Sequence, residues 1–232
     1  MPKRFYKSVN VAEQGPGDYR IRLDGRPLRT PAKAALAVPT AALAQAIAAE
    51  WEAQGEHIDP TSMPLTRLAN SAIDGVKPRQ EQVRADIAKY AGSDLLCYRA
   101  EAPDGLQRRQ REVWDPILRW ADEALGVHFA TGMGLMPVAQ SDAAKAAVTR
   151  AVADYDGFAL AALHVMTTLM GSVLLALAHA RGHLTAEQAW AAAHVDEDWQ
   201  ISKWGEDAEA KARRARRWAE MQSASRLLRL VA

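Results

Sequence analysis

Cysteine is nearly missing from this sequence, and so is any excess of charge. Cys97 is the single cysteine among 232 residues, so no disulfide within the chain can hold the fold, and a reducing compartment is indicated. It lies in an apolar stretch, where we expect it to be buried and unreactive. With 29 basic and 28 acidic residues the net charge is +1, which provides no long-range field for attracting nucleic acid or an acidic substrate.

Motifs for catalysis or nucleotide binding are missing as well. Segment 132–134 (GMG) lacks the third glycine and the preceding strand of a dinucleotide site, and no GxxxxGK[ST] loop occurs. Segment 170–174 lacks the second glycine of a nucleophile elbow, so Ser172 is interpreted as a small residue between packed helices. His179 and His183 have the spacing of a helical metal site, but the glycine between them favours a helix end with solvated histidines. The residues therefore offer no candidate for catalysis and no candidate metal site.

One long apolar segment raises the question of a membrane. Residues 157–180 read GFALAALHVMTTLMGSVLLALAHA, which is nearly long enough to cross a bilayer. The segment contains polar residues such as His164 and Ser172, so we interpret it as the central helix of a bundle and expect no membrane insertion. Residues 1–11 have no apolar core of a signal peptide, and they are too short and strand-like for a mitochondrial presequence.

The hydrophobic pattern changes along the chain from strands to helices. Residues 4–40 combine period-two alternation with glycine and proline breaks, which predicts short strands and a hairpin turn at Asp24-Gly25. A helix is predicted to begin after the N-cap Thr40, and a later one after a capping box at Thr185. The remaining predicted elements are helices over 64–73 and 78–90, a short strand over 95–98, and helices over 106–125, 141–155, 158–181, 185–204 and 207–229.

This order of elements predicts an α+β protein with two domains. The first is a small, mixed, β-rich N-terminal domain over residues 1–76. The second is an all-α helical C-terminal domain over residues 77–232, and the boundary between them is predicted to fall within 74–101.

An acidic and aromatic run over 196–209, DEDWQISKWGEDAE, is the first feature suited to protein binding. Tryptophan is enriched in interface hot spots, and carboxylates beside a helix break favour the N-terminus of the next helix. Two interpretations of the tryptophans stay open, namely contact with a partner and packing into the bundle. The candidate partner-binding residues are Glu197, Trp204, Glu206, Asp207 and Glu209, with Gly205 as a structural helix break.

A basic cluster follows the acidic and aromatic run directly, and such a cluster could bind nucleic acid. Lys211 and four arginines between 213 and 217 would suit nucleic acid. Because Glu206, Asp207 and Glu209 precede the cluster at helical spacing, a salt-bridged, solvated helix face is favoured. A helical protein that uses Arg213–Arg217 to associate with nucleic acid, and an enzyme with an unrecognised site, remain the alternatives.

Long segments of the chain resemble one protein family. The segments, in order, are RFYKSVNV, YRIRLDGRPLRTP, AIAAEWEAQGEHIDPTSMPLTRLANSAID, YAGSDLLCYRAE, WDPILRWADEALGV and DEDWQISKWGEDAEA. Together they cover nearly the whole chain and resemble the assembly chaperones that attend the alpha subunit of F-type ATP synthase. None of the segments is a catalytic motif, so the resemblance rests on pattern alone.

The resemblance implies a mixed N-terminal and a helical C-terminal domain, no catalysis and no cofactor. It implies binding to the unassembled alpha subunit, whose surface for the beta subunit is shielded until beta replaces the chaperone. Glu206, Asp207 and Glu209 are expected to contact basic groups of alpha, while Trp51 is expected to hold the first helix on its sheet. Eukaryotic members act in the mitochondrial matrix, whereas this Ala- and Arg-rich chain is expected to be a monomer in a bacterial cytoplasm.

Overall fold

The computed structural model describes residues 1–134 and 136–232. Strands are concentrated in the first forty residues and most of the rest is helical, which confirms the predicted α+β class. The chain divides into two compact units, each made of separate stretches of sequence. The first comprises residues 1–80, 155–162 and 223–232, and the second comprises 81–154 and 163–222. The continuous division at residue 76 stays a prediction.

The first unit contains a small antiparallel sheet of four strands. These are β1 (Val9–Gly15), β2 (Asp18–Leu23), β3 (Arg26–Pro27) and β4 (Ala37–Val38), and β2 pairs with all three others. The predicted turn between β2 and β3 is confirmed, with Asp24 at φ +47° and its carboxylate accepting the backbone N–H groups of the segment before β1. That segment was predicted as strand from residue 4, and the regular pairing with β2 begins only at residue 9.

Helix α1 (Ala41–Glu52) covers this sheet, and helix α2 (Pro64–Ser71) packs against α1. The predicted N-cap is confirmed, because the Thr40 hydroxyl accepts the Leu43 N–H at 3.2 Å. Helix α1 packs on β1 and β2, and its Leu43 and Ile47 are fully buried with Ile21 of β2. The hydrophobic spacing of α1 therefore buries one face of a helix on a sheet, as in other α+β proteins.

Glu50 of α1 fixes the start of α2 and provides a test of the first unit. Its carboxylate accepts the Leu65 N–H at 2.7 Å, the Thr66 N–H at 2.8 Å and the Thr66 hydroxyl at 2.7 Å. The carboxylate thus satisfies N–H groups that a helix leaves unpaired in its first turn. We expect Glu50→Ala to lower the free energy of unfolding by about 2 kcal/mol, since hydrogen bonds to a charged group are lost. Urea unfolding measures this, and Glu52→Ala, at an exposed position of the same helix, should change it little.

Apart from connecting loops and turns, the described residues of the second unit form helices and one pair of short strands. Strand β5 (Tyr98–Arg99) pairs in parallel with β6 (Gly132–Met133), a long-range contact that was not predicted. Helix α6 (Gly157–Met170) begins, and helix α10 (Ala208–Val231) ends, in residues assigned to the first unit. Across the residues described, no helix has both the length and the hydropathy that crossing a membrane requires. The helices after α2 are α3 (Gln80–Lys89), α4 (Asp104–Leu125), α5 (Asp142–Ala153), α6 (Gly157–Met170), α7 (Val173–Ala180), α8 (Ala186–Ala193), α9 (Val195–Trp204) and α10 (Ala208–Val231).

Two of the predicted long helices are each divided in the structure. The prediction of one helix over 158–181 is wrong, because Gly171 adopts φ +65° and Ser172 caps a new helix by accepting the Leu175 N–H at 3.0 Å. The predicted helix over 185–204 is likewise α8 and α9, divided at His194. The predicted capping box at Thr185 is confirmed at the start of α8.

A buried carboxylate explains the first of these breaks. Asp94 is fully buried, and it accepts the Ser172 hydroxyl at 2.7 Å, the Leu174 N–H at 3.1 Å and the Leu96 N–H at 3.1 Å. Desolvation by burial raises the pKa of this carboxyl to about 6, against the hydrogen bonds that lower it. Asp94 therefore caps both α7 and a 3₁₀ turn over Leu95–Cys97, where the sequence predicted a strand.

Candidate functional site

The acidic and aromatic run forms the junction between α9 and α10. Helix α9 ends at Trp204, and Gly205 turns the chain at φ +84°, a conformation that favours glycine. Trp204 is 79% exposed, so the interpretation that it packs into the bundle is wrong. Trp199 is half-buried, with the Lys203 ammonium 4.8 Å from its ring centroid. Of the two tryptophans, Trp204 is the one presented to solvent.

An open cleft of about 300 Å³ lies at this junction. Helix α9 contributes Glu197, Gln200, Ile201 and Trp204 to its lining. These residues are spaced i, i+3, i+4 and i+7 and so lie on one face of the helix. Glu209 is exposed in the first turn of α10 and lies outside the lining. The cleft therefore unites four of the five predicted partner-binding residues with Gly205. Its lining consists of Glu197, Gln200, Ile201, Trp204, Gly205, Glu206, Asp207, Ala210, Lys211, Arg213 and Arg214.

The two carboxylates after the turn have different local roles. Asp207 accepts the Ala210 N–H at 2.8 Å and so caps α10. Glu206 pairs with Lys211 at 2.8 Å, and both side chains are well exposed, so this ion pair contributes little to stability. Asp207 is therefore partly a structural residue, whereas the charge of Glu206 remains accessible to a partner.

Glu197 is a carboxylate with only distant counter-charges around it. His194 Nε2 lies 3.9 Å and Arg214 Nη1 lies 4.0 Å from its Oε2. Arg214 is bound more closely by Asp198, at 2.5 Å. Burial lowers the pKa of His194, so its imidazole is mainly neutral at pH 7. Glu197 consequently keeps much of its capacity to bind a cation from outside.

The basic cluster forms the predicted salt bridges only in part, because ion pairs are found at Lys211 and Arg214 and only the first has a predicted partner. Lys211 pairs with Glu206, but Arg214 pairs with Asp198 of α9, and Arg217 donates to the Leu169 carbonyl. The predicted helical spacing does not apply to Glu206 because α10 begins only at residue 208. The sequence therefore missed Arg214 as a cleft residue, since its partner belongs to the preceding helix.

Trp51, predicted to be structural, lies at the end of α1. Its backbone carbonyl accepts the Tyr6 hydroxyl at 2.6 Å, and the two rings meet edge to face at 5.7 Å between centroids. Tyr6 is buried in the segment before β1. The contact thus joins α1 to the start of the chain, although the structural role of Trp51 stays a prediction.

The histidines and the cysteine are placed as structural residues. His179 Nδ1 lies 2.9 Å from the Leu184 carbonyl oxygen, and the exposed His183 stacks on Trp120 at 5.1 Å. Within residues 1–134 and 136–232 no group of histidine, cysteine and carboxylate side chains is arranged to hold a metal. Cys97 is buried, as predicted, and burial raises the pKa of its thiol to about 12, so it stays protonated at neutral pH.

Comparisons with known proteins point to one family. The family model described as ATP12 chaperone protein matches residues 3–122, which is just over half of the chain. Atp12 from Paracoccus denitrificans is similar in structure, with a TM-score of 0.96 and 44% identity over 100% of this chain and 99% of that one. A variant of the same bacterial protein, in which one aspartate is replaced by lysine, also matches with a TM-score of 0.96 over 100% of this chain and 98% of that one. A mitochondrial relative, atp12 of Schizosaccharomyces pombe, is 26% identical over 88% of this chain and 74% of its own length.

Proposed function

The chain belongs to the ATP12 chaperone protein family, and on this premise we propose that it binds the unassembled alpha subunit of an F-type ATP synthase. It shields the surface of alpha that later meets the beta subunit, and beta then replaces it. An unassembled ring subunit exposes an apolar interface that promotes aggregation. A protein that covers this interface without catalysis and without a cofactor, and that is then displaced, needs a few strong contacts within an interface of moderate size.

The observation that supports a binding surface at the α9–α10 junction is the exposure of Trp204. A large aromatic side chain that is 79% exposed on the rim of a cleft is typical of a contact anchor. Glu206 and Asp207 lie on the same rim, and Glu197 lies in the cleft. This arrangement suits an apolar side chain of the client flanked by lysine or arginine. We therefore propose Glu197, Trp204, Glu206 and Asp207 as contacts of alpha, with Glu209 at the edge.

Membership of the family is also the premise for a proposal about the oligomeric state and the cellular location of the chain. We propose that the chain acts as a monomer and without nucleic acid, in the cytoplasm of a bacterium, whereas the fission yeast relative is mitochondrial. The pairing of Lys211 and Arg214 with acidic side chains reduces the charge that nucleic acid would meet on α10.

Capture of separately expressed ATP synthase subunits tests the proposal. We expect the immobilised chain to retain the alpha subunit and not the beta subunit, because the surface that it covers belongs to alpha. Adding beta should release alpha into the supernatant. Equal capture of alpha and beta, or of neither, would show that the proposed client is wrong. Unfolded alpha serves as a control, since its capture would indicate general affinity for apolar chains.

A further inference from the structure

A second cleft of about 360 Å³ lies in the second unit. Trp114 and Met170 are buried in its floor, and Leu95 and Leu169 form half-buried apolar walls. Three separate stretches of the chain thus contribute apolar surface to one concave site, the kind of site that accepts a single apolar side chain. The remaining lining residues are Thr168, Gly171, Ala193, His194, Asp196, Glu197 and Arg217.

Glu197 joins this second cleft to the Trp204 cleft. Its side chain lines both, and it is positioned by α9, whose C-terminal end carries Trp204. Helix α9 rises about 1.5 Å per residue, so residues 197 and 204 are separated by roughly 10 Å along the axis. Two clefts that share a side chain at this separation are within reach of one continuous segment of a partner.

The charges of the second cleft favour a cationic neighbour to the apolar side chain. Asp196 accepts the Gln110 amide at 2.7 Å and is a half-buried member of the lining. The one fixed counter-charge near Glu197 in these ion pairs is Arg214, whose Nη1 lies 4.0 Å from the Glu197 Oε2 and which Asp198 binds more closely. The His194 ring lies 3.9 Å away, and burial lowers its pKa. Arg217 is directed to the Leu169 carbonyl and not to these carboxylates. The lining therefore combines two carboxylates and one guanidinium group with an apolar floor, which leaves an excess of acidic side chains.

We propose that the second cleft holds an apolar side chain of the alpha subunit while an adjacent lysine or arginine of alpha binds Glu197. This inference rests on the proposed function and extends its surface from the Trp204 cleft along α9. The client segment then has two apolar side chains, one for each cleft, and a basic residue between them. Each part complements the chain in charge and polarity, which is how an interface selects its partner.

Filling the second cleft tests this inference. Thr168 is exposed, lines the cleft, and its hydroxyl donates to the His164 carbonyl one turn earlier at 2.9 Å. Thr149 provides a matched control, because it is also exposed on a helix and donates to the Lys145 carbonyl at 2.9 Å. We expect Thr168→Trp to weaken the binding of alpha about tenfold or more by occupying the cleft, and Thr149→Trp to leave it unchanged. Titration of labelled alpha with each variant measures the two affinities.

The outcomes separate this inference from the function on which it rests. If the unmodified chain does not bind alpha, the proposed function fails before either variant is compared. If the unmodified chain binds alpha and Thr168→Trp binds it equally well, the second cleft is not a contact and this inference is wrong. Should Thr168→Trp unfold, Thr168→Arg places a cation beside Glu197 and is expected to reduce the affinity several-fold by competing with the basic residue of alpha. Equal affinity of a folded Thr168→Arg would also overturn the inference.

Discussion

Replacing Trp204 with alanine is expected to lower the affinity of the chain for the ATP synthase alpha subunit by about 2 kcal/mol or more, which is roughly 30-fold. The reason is the position of the side chain, 79% exposed on the rim of the α9–α10 cleft, where a partner would bury most of it. The unfolding temperature should not change, since an exposed side chain contributes little to the core. Calorimetric titration with alpha measures the first quantity and circular dichroism the second.

Phe5→Ala is a matched control for the aromatic side chain. Phe5 is 72% exposed, belongs to the first unit and is not among the residues that line the cleft. We expect this variant to bind alpha as the unmodified chain does. If Trp204→Ala and Phe5→Ala bind equally, exposure of an aromatic ring does not mark the client surface, and the proposed site at the α9–α10 junction is wrong.

At the α9–α10 junction, the choice of substitution can separate the charge of an acidic side chain from its role as a helix cap. Asp207→Asn keeps the cap of α10, because asparagine caps a helix as well as aspartate, and removes only the charge. Asp207→Ala removes both. Charge reversal of Glu206 and Glu209 together should weaken the binding of alpha without unfolding the chain, because both residues are exposed.

Local signals explain why much of the fold was predictable. The caps at Thr40 and Thr185 are formed by residues within three positions of the N–H groups they satisfy. The hairpin at Asp24-Gly25 depends on the backbone preferences of two adjacent residues. Features of this kind are contained in short windows of sequence, so the starts of these two helices and the hairpin turn were predicted correctly.

Long-range contacts explain what was missed. The break between α6 and α7 is capped by Asp94, which is 78 residues away from Ser172 in the sequence. The parallel pairing of β5 with β6 joins two-residue segments on either side of α4. An apolar window such as 157–180 has the same pattern whether it forms one helix or two, so only the tertiary partner decides where it ends.

The same distinction applies to the candidate site. The run over 196–209 predicted Trp204 and its neighbouring carboxylates because they are contiguous in sequence. Gln200 and Ile201 could have been added from helical spacing relative to Glu197. The second cleft could not have been predicted from the sequence, because its walls come from Leu95, Leu169 and α9, which only the folded chain brings together.

Asp94→Ala is expected to have the largest effect on stability, a loss of about 3 kcal/mol or more in the free energy of unfolding. The substitution removes the acceptor of the Ser172 hydroxyl and of the Leu96 and Leu174 N–H groups in a site that is closed to water. Ser172→Ala is the graded comparison, because it removes one donor to Asp94 and the cap of the Leu175 N–H, and leaves the Leu96 and Leu174 bonds to Asp94 in place. Urea unfolding at pH 7 ranks the variants, and a loss for Asp94→Ala no larger than that for Ser172→Ala would contradict the capping role.

Ionisation of Asp94 predicts a specific dependence of this stability on pH. Because burial raises its pKa in the folded chain to about 6, from 3.8, the folded state holds the proton more tightly than the unfolded state does. The contribution of Asp94 to stability is therefore greatest below about pH 4, falls as pH rises from about 4 to about 6, and is constant above that. One pKa unit corresponds to about 1.4 kcal/mol, so the fall is on the order of 3 kcal/mol. The difference in unfolding free energy between the unmodified chain and Asp94→Asn, measured at pH 4.5 and at pH 7, isolates this contribution from those of the exposed carboxylates. A difference that does not change between the two pH values would show that Asp94 is ionised in the folded chain throughout this range.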